Sequence, residues 1–273
     1  MINTYNLNEE TWIDIDHGTP EEIHEVMNTY NIHPFVAKEL ISSTPKPRIE
    51  FHDKYIYCIL HFPAWKHTHS EGNNNQEIDF IIGQDAIITT RYDTIDALHK
   101  LGKSLEVQEI LEKDLPSQAS DHKYKHSHII FMRMLRSLYT GIFEELESIE
   151  DSIEKITSQI FKRKEREMVV SISEITRTLL DFKRITDLHH EILEALKRRG
   201  KEIFGDEFAK EMDSIILDYL KINTIIKSNV DVLKELRDTD NSLLTAKQNE
   251  TIKQLTIIGA VLFIISILVA IFR

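Results

Sequence analysis

Where proline stops is the strongest constraint on this chain. All six prolines (20, 34, 45, 47, 63 and 116) fall within the first 116 residues, and only Gly141, Gly200, Gly205 and Gly259 punctuate the 157 residues that follow. Proline removes a helix hydrogen bond and clashes with the preceding turn, and glycine weakens a helix entropically. The sequence therefore divides into a turn-rich first part and a second part free to form long helices.

The first part reads as α+β. TWIDID (11–16) alternates like a short strand. Thr19-Pro20-Glu21-Glu22 is a helix start, with threonine as N-cap and proline in the first turn, and that helix should end near Tyr30. A second helix begins at His33-Pro34 and runs through FVAKELI. RIEF, KYIYCILHF, EIDFIIG and AIITTRY, rich in isoleucine, tyrosine and phenylalanine, predict four strands of an antiparallel sheet.

Beyond residue 125 the apolar period becomes helical. Phe131, Leu135, Leu138, Ile142, Leu146, Ile149, Ile153, Ile156 and Ile160 step by threes and fours. Met168, Ile172, Ile175, Leu179, Phe182, Leu193 and Leu196 continue a second register, with Thr186 and His189 in its remaining slots. Two long helices packed in coiled-coil fashion follow, and His189 reads as a seam residue rather than a metal ligand. KRRGKEIFG (197–205) supplies the next break. These signals predict four regions: an α+β domain over 1–125, two long antiparallel helices over 126–204, a stalk helix over 205–254 and a membrane helix over 255–272.

No glycine or proline interrupts Asp206–Ile258, and the apolar run LTIIGAVLFIISILVAIF follows without a turn signal. A single helix from Asp206 to Phe272 would be 67 residues long, roughly 100 Å. Leu255–Phe272 alone would cover about 27 Å, close to a bilayer hydrocarbon core. Lys247 and Lys253 just before it agree with a cytosolic N-terminal side. Within the run and its approach, Asn249, Thr256, Gly259 and Ser266 are the polar or small members of one face, and Ile252 and Phe263 fill the same stripe. A helix facing lipid all round has no use for such a stripe; it implies neighbouring helices or water. Packing in a dimer satisfies the spacing as well as a water-filled pathway does.

Composition excludes some functions. Net charge is −12, which argues against a nucleic-acid partner. The one cysteine, Cys58, lies in the apolar run YIYCIL and suits a reducing compartment. The start, MINTYNLNEETW, has neither a basic segment nor an apolar core of the secretory kind. His67-Thr-His69 and His126-Ser-His128 have spacing that a metal can use, but polar, loop-like surroundings without a fixed third ligand favour surface histidines. Glycine-rich phosphate loops and nucleophile elbows do not occur, so an enzyme is not expected.

The chain resembles the CorA family of divalent-cation transporters over nearly its whole length. The resemblance is carried by TWIDID, by NIHPFVAKELISSTPKPRIEFHDKYIYCILHF, by the DFIIG and AIITT pair, and by QNETIKQLTII at the membrane entry. His33-Pro34 followed by Pro47-Arg48-Ile49-Glu50 is its most specific soluble part. It implies a cytoplasmic αβα domain, two hanging helices, a stalk, and a homopentameric pore in the cell membrane that carries Mg2+ or related divalent cations and is gated by them. Under the resemblance Asn249 and Ser266 become polar rings of the pore. Ile252, Leu255, Gly259 and Phe263 become the dry gate between them. A regulatory Mg2+ between neighbouring cytosolic domains would fall to Glu39, where the family more often has aspartate, and to a stalk position matching Ser214, flanked by Asp213 with Asp218 one turn on. The chain departs from the family's pattern at its end. Ile271-Phe272 precedes the place of the family's Gly-Met-Asn, Arg273 stands at its glycine, and Ile264 replaces a mid-helix proline. Neither the tripeptide nor the second membrane helix is credited to the given sequence. The competing expectation is a non-conducting, single-pass sensor or scaffold derived from the same fold.

Overall fold

The computed structural model describes residues 1–7, 10–64, 75–84, 86–114, 128–159 and 165–271. It divides into two compact units, Met1–Ile149 with Arg177–Lys227 and Glu150–Thr176 with Ser228–Arg273.

The first unit is built on a six-stranded sheet: β1 (Ile2–Leu7), β2 (Glu10–Asp16), β3 (Arg48–Phe51), β4 (Tyr55–Pro63), β5 (Asn75–Gly83) and β6 (Ala86–Arg91). Their spatial order is β1-β2-β6-β5-β4-β3. The sheet is mixed rather than antiparallel throughout, because β2 and β6 run parallel, Trp12 opposite Ile87. A parallel pair needs a crossover, and here the crossover comprises the two helices α1 (Pro20–Tyr30) and α2 (Pro34–Glu39) together with the β3–β5 meander.

Local chemistry sets the helix ends. Thr19 Oγ1 accepts from the Glu22 amide at 3.2 Å while Glu22 Oε2 accepts from the Thr19 amide at 2.9 Å, a closed capping box. Asn31, in the left-handed region at φ 53°, ends α1 one residue past Tyr30. The His33 Nδ1 accepts from the Phe35 amide at 3.3 Å, so the His-Pro pair is the start signal of α2.

β4 is buried at every position, so both faces of the sheet are covered. On one side Ile13, Ile15, Tyr57, Ile59, Ile81 and Ile88 form a core with Ile23, Val26 and Met27 of α1 and Val36 of α2. On the other, Phe80 meets Phe131 edge-on at 5.5 Å and Phe62 meets His189 at 5.2 Å. These partners come from α4 (His128–Gln159) and α6 (His189–Phe204). A further helix, α3 (Asp96–Asp114), lies against β1, where a Cβ on Gly102 would come within 2.8 Å of the Tyr5 ring. The layering is the expected αβα.

Residues 128–204 hold three helices, not two: α4, α5 (Glu165–Thr186) and α6. α5 stops at Thr186, and α6 starts after Leu188 with no side-chain cap. Every apolar seam residue from Phe131 to Ile156 and from Met168 to Leu196 is buried, as are Thr186 and His189; Ile160 lies outside the described residues. The break expected over 197–205 falls at Gly205, whose φ of +93° favours glycine.

α7 runs unbroken from Asp206 to Ile271, 66 residues. In the second unit Asn229 donates to Glu150 Oε1 at 3.2 Å, and Ile153, Ile156, Met168, Ile172, Ile175 and Leu233 are buried.

Candidate metal site and pore-lining face

Glu39 closes α2, and its carboxylate is ion-paired with the Arg48 guanidinium. Arg48 also reaches Glu50 Oε1 at 3.5 Å and lies 5.8 Å over the Tyr57 ring. The second half of the most specific soluble motif is thus the counter-ion of its first carboxylate. Asp213 projects from the second turn of α7 and accepts from Lys197 Nζ of α6 at 2.5 Å. Asp218 pairs with Lys221 on its own helix at 3.3 Å. Ser214 is exposed.

The three acids do not converge: among the described residues no group of three His, Cys, Asp and Glu side chains is placed to hold a metal. Their donor chemistry nevertheless fits a hard divalent cation that keeps part of its water, since all three offer carboxylate oxygens. The Glu39 and Asp213 side chains are 35% and 54% exposed, within reach of a hydrated ion.

The histidine candidates come out differently. His67, His69 and His126 lie outside the described residues. His128 is no surface histidine: it opens α4, is 3% exposed, and sits 5.6 Å from the Phe204 ring and 5.9 Å from Phe208. His189 is fully buried in the seam. Its Nε2 donates to the His61 carbonyl at 2.7 Å, which can only accept, so Nδ1 accepts from the Tyr139 hydroxyl at 2.8 Å. Burial pushes its pKa down to about 4 and holds the ring neutral. Cys58 is buried, and burial pushes its thiol well up, out of the nucleophilic range.

A polar cluster that the sequence reading passed over lies under α2. Glu77 accepts from the Thr44 amide at 2.8 and 2.7 Å, and His61 Nε2 lies 2.8 Å from the Thr44 carbonyl. Tyr57 donates to Asp79 Oδ2 at 2.9 Å. Asp79 is wholly buried, and desolvation, with the Glu77 carboxylate second, raises its pKa well above the ordinary range. The signal was available: Glu-Ile-Asp in a strand puts two acids on one face.

On the far end of α7, Asn249, Ile252, Thr256, Gly259, Phe263 and Ser266 are spaced three and four apart, one face of a helix; Leu255 borders it. Every residue from Thr251 to Ala270 is exposed. The apolar window is long enough to cross a bilayer, and none of it is buried within the chain, unlike the core helix of a soluble protein. Thr256 Oγ1 donates to the Ile252 carbonyl and Ser266 Oγ to that of Leu262, both at 2.8 Å. A Cβ on Gly259 would meet nothing within 4 Å, so packing within the chain does not require glycine there.

Comparison with known proteins matches the chain to one family. Residues 8–272 match the family described as CorA-like Mg2+ transporter protein. The cobalt/magnesium transport protein CorA of Thermotoga maritima is 22% identical over 254 residues, 92% of this chain and 69% of that protein. Among solved structures, the complete CorA magnesium transporter of Methanocaldococcus jannaschii superposes with a TM-score of 0.76 at 19% identity, covering 91% of this chain and 74% of that one. The full-length CmaX protein does so at 0.74 and 14% identity, covering 92% and 74%.

Proposed function

Because the chain belongs to the CorA-like Mg2+ transporter family, we propose that its copies assemble as a pentamer around a cation pathway lined by the Asn249–Ser266 face of α7. Mg2+ or a related divalent cation is the cargo. The sheet-bearing part lies on the cytoplasmic side, and the same ion, held between copies by Glu39 on one side and Asp213 with Asp218 on the other, keeps the pathway closed.

The observation that carries this reading is the uncovered, glycine-bearing stripe. A mid-helix glycine disfavours helix by about 1 kcal/mol relative to alanine, and no contact within the chain accounts for it. Close approach of a second helix does. Along the stripe, the Asn249 amide and the Ser266 hydroxyl oxygen offer dipoles to a hydrated cation. Ile252, Leu255 and Phe263 offer none, so a ring of them excludes water until the helices spread.

The test is flux. Proteoliposomes of the full chain with an internal Mg2+-sensitive dye should respond to external Mg2+, and Asn249→Leu or Ser266→Val should change the rate. Absence of flux, with Mg2+ still protecting the protein from proteolysis, would replace transport by the non-conducting sensor. A single protomer at all concentrations in detergent would remove the pore reading altogether.

A further inference from the structure

We propose that Asp79 and Glu77 share one proton at neutral pH, and that this proton latches the connection between α2 and β3 onto the sheet.

The two acids share a face of β5 with Ile81, the face that packs on α1 and α2. Both are buried, Asp79 completely. Tyr57 donates to Asp79 Oδ2 at 2.9 Å, while Oδ1 finds no N–H or O–H donor among the described residues. Thr90, opposite Asp79 on β6, does not supply one through its hydroxyl. What Asp79 does meet is Glu77, to which a side-chain hydrogen bond joins it. A carboxylate cannot donate, so two carboxyls joined in this way hold a proton between them. The surrounding donors decide where it sits. Glu77 takes the Thr44 amide on both oxygens, at 2.8 and 2.7 Å, and His61 Nε2 stands 3.3 Å from its Oε2. Glu77 is thus the ionised member, and Asp79 is the acid, its Oδ1–H turned to Glu77.

Burial first, and the Glu77 charge after it, favour that neutral acid. Arg48 of β3 acts the other way but is engaged by Glu39 and Glu50. Besides His61, the titratable neighbours are Tyr57 and Cys58 of β4 and Tyr92 just past β6. Burial pushes those three up, so they stay protonated while the pair titrates. The connection itself faces the cluster with the Thr44 amide, held by Glu77, and the Thr44 carbonyl, 2.8 Å from His61 Nε2.

When the proton leaves, one side must yield. Asp79 is fixed in a strand paired on both edges, with Ile59 of β4 and Thr90 of β6. Glu77 instead holds an irregular stretch, residues 40–47, between a helix and a strand. A second buried negative charge beside it weakens that hold. The stretch joins Glu39 to Arg48, so a rise in pH loosens the link between the two halves of the most specific soluble motif. None of this requires a metal at Glu39. Because the folded chain keeps a proton that the unfolded chain gives up, stability falls as pH rises from the ordinary carboxylate range towards that of the pair.

Infrared spectra of the full chain in detergent should show, at neutral pH, the carbonyl stretch of a protonated carboxyl that Asp79→Asn removes. Hydrogen exchange over residues 40–47 should then be compared between the two proteins from about pH 7 to about pH 10. The ratio of wild-type to Asp79→Asn exchange should rise by up to about tenfold per pH unit once the proton leaves. Tyr57→Phe takes a donor away from the ionised Asp79 and should move the wild-type rise to higher pH. No such band at neutral pH, or a band that survives Asp79→Asn, overturns the shared proton. An exchange ratio that stays level across the range overturns the latch. Should Asp79→Asn not fold, a rise that Tyr57→Phe leaves in place overturns it equally.

Discussion

β4 and the far end of α7 are made of the same kinds of side chain and meet opposite fates. All nine residues of YIYCILHFP are buried, while Thr251 to Ala270 are exposed without exception. In β4 the polar groups are tied to other strands and loops, Tyr57 to Asp79 and His61 to the Thr44 carbonyl. In α7 the hydroxyls find partners only in their own helix backbone. An apolar run demands cover but does not say who supplies it. The sheet is covered by its own chain; the far end of α7 is not, and its cover falls to the bilayer and the neighbouring copies proposed above.

The same substitution in both places tests this most strongly. Leu60, fully buried in β4, and Leu262, 58% exposed in α7, are each changed to alanine. Leu60→Ala should cost about 2–5 kcal/mol in denaturant unfolding of the detergent-solubilised protein. Leu262→Ala should stay within about 0.5 kcal/mol. Comparable losses would break the contrast, because α7 would then have cover within its own chain.

Acid should separate the regions next. His189 has a folded pKa of about 4 against an ordinary 6.5. Between those values the unfolded chain binds the extra proton, so its contribution is complete above pH 6.5 and is lost as pH falls towards 4, by up to about 3 kcal/mol. His189→Gln should flatten that part of the stability profile. The α7 segment from Leu255 to Ile271 has no side chain that titrates there.

Glycine gives the finest test. A Cβ on Gly200 would lie 2.0 Å from the Phe208 ring. Gly200→Ala should therefore destabilise by about 1–3 kcal/mol through forced repacking of α6 on α7. Gly259→Ala meets nothing and should favour helix by up to about 1 kcal/mol. Loss of the proposed flux with that variant would then point to the proposed contact between copies, sharpening the contrast.

What could be read from the sequence follows the strength of local signals. The Thr19 cap with Pro20 behind it, the alternation of TWIDID and the threes-and-fours seam each combine pattern with chemistry, and each appears where expected. β1 escaped because INTYNL intersperses its apolar residues with asparagine and threonine on an edge strand. α3 escaped because Leu98 and Leu105 are the only large apolar side chains it is seen to bury among those described. The break at 187–188 carries no glycine, proline or cap to announce it. The parallel β2–β6 pairing brings together residues some 75 apart, a relation that no window of sequence contains. For the candidate site, the sequence reading reached Glu39, Asp213 and Asp218 but not the cations beside them. Lys197 and Asp213 come from different helices, so their meeting depends on packing.

The short bonds of Thr256 and Ser266 have one more consequence. With each hydrogen spent on a carbonyl of the preceding turn, only lone pairs remain to face whatever fills the proposed pathway. A lining of that sort has a sign without having a charge: it attracts the positive end of anything near it and gives an anion nothing to hold. Such discrimination cannot be titrated away by acid, because there is no proton to add in the physiological range. Nor does it need salt to be dilute, as a ring of carboxylates would. It resides in where two hydrogens point.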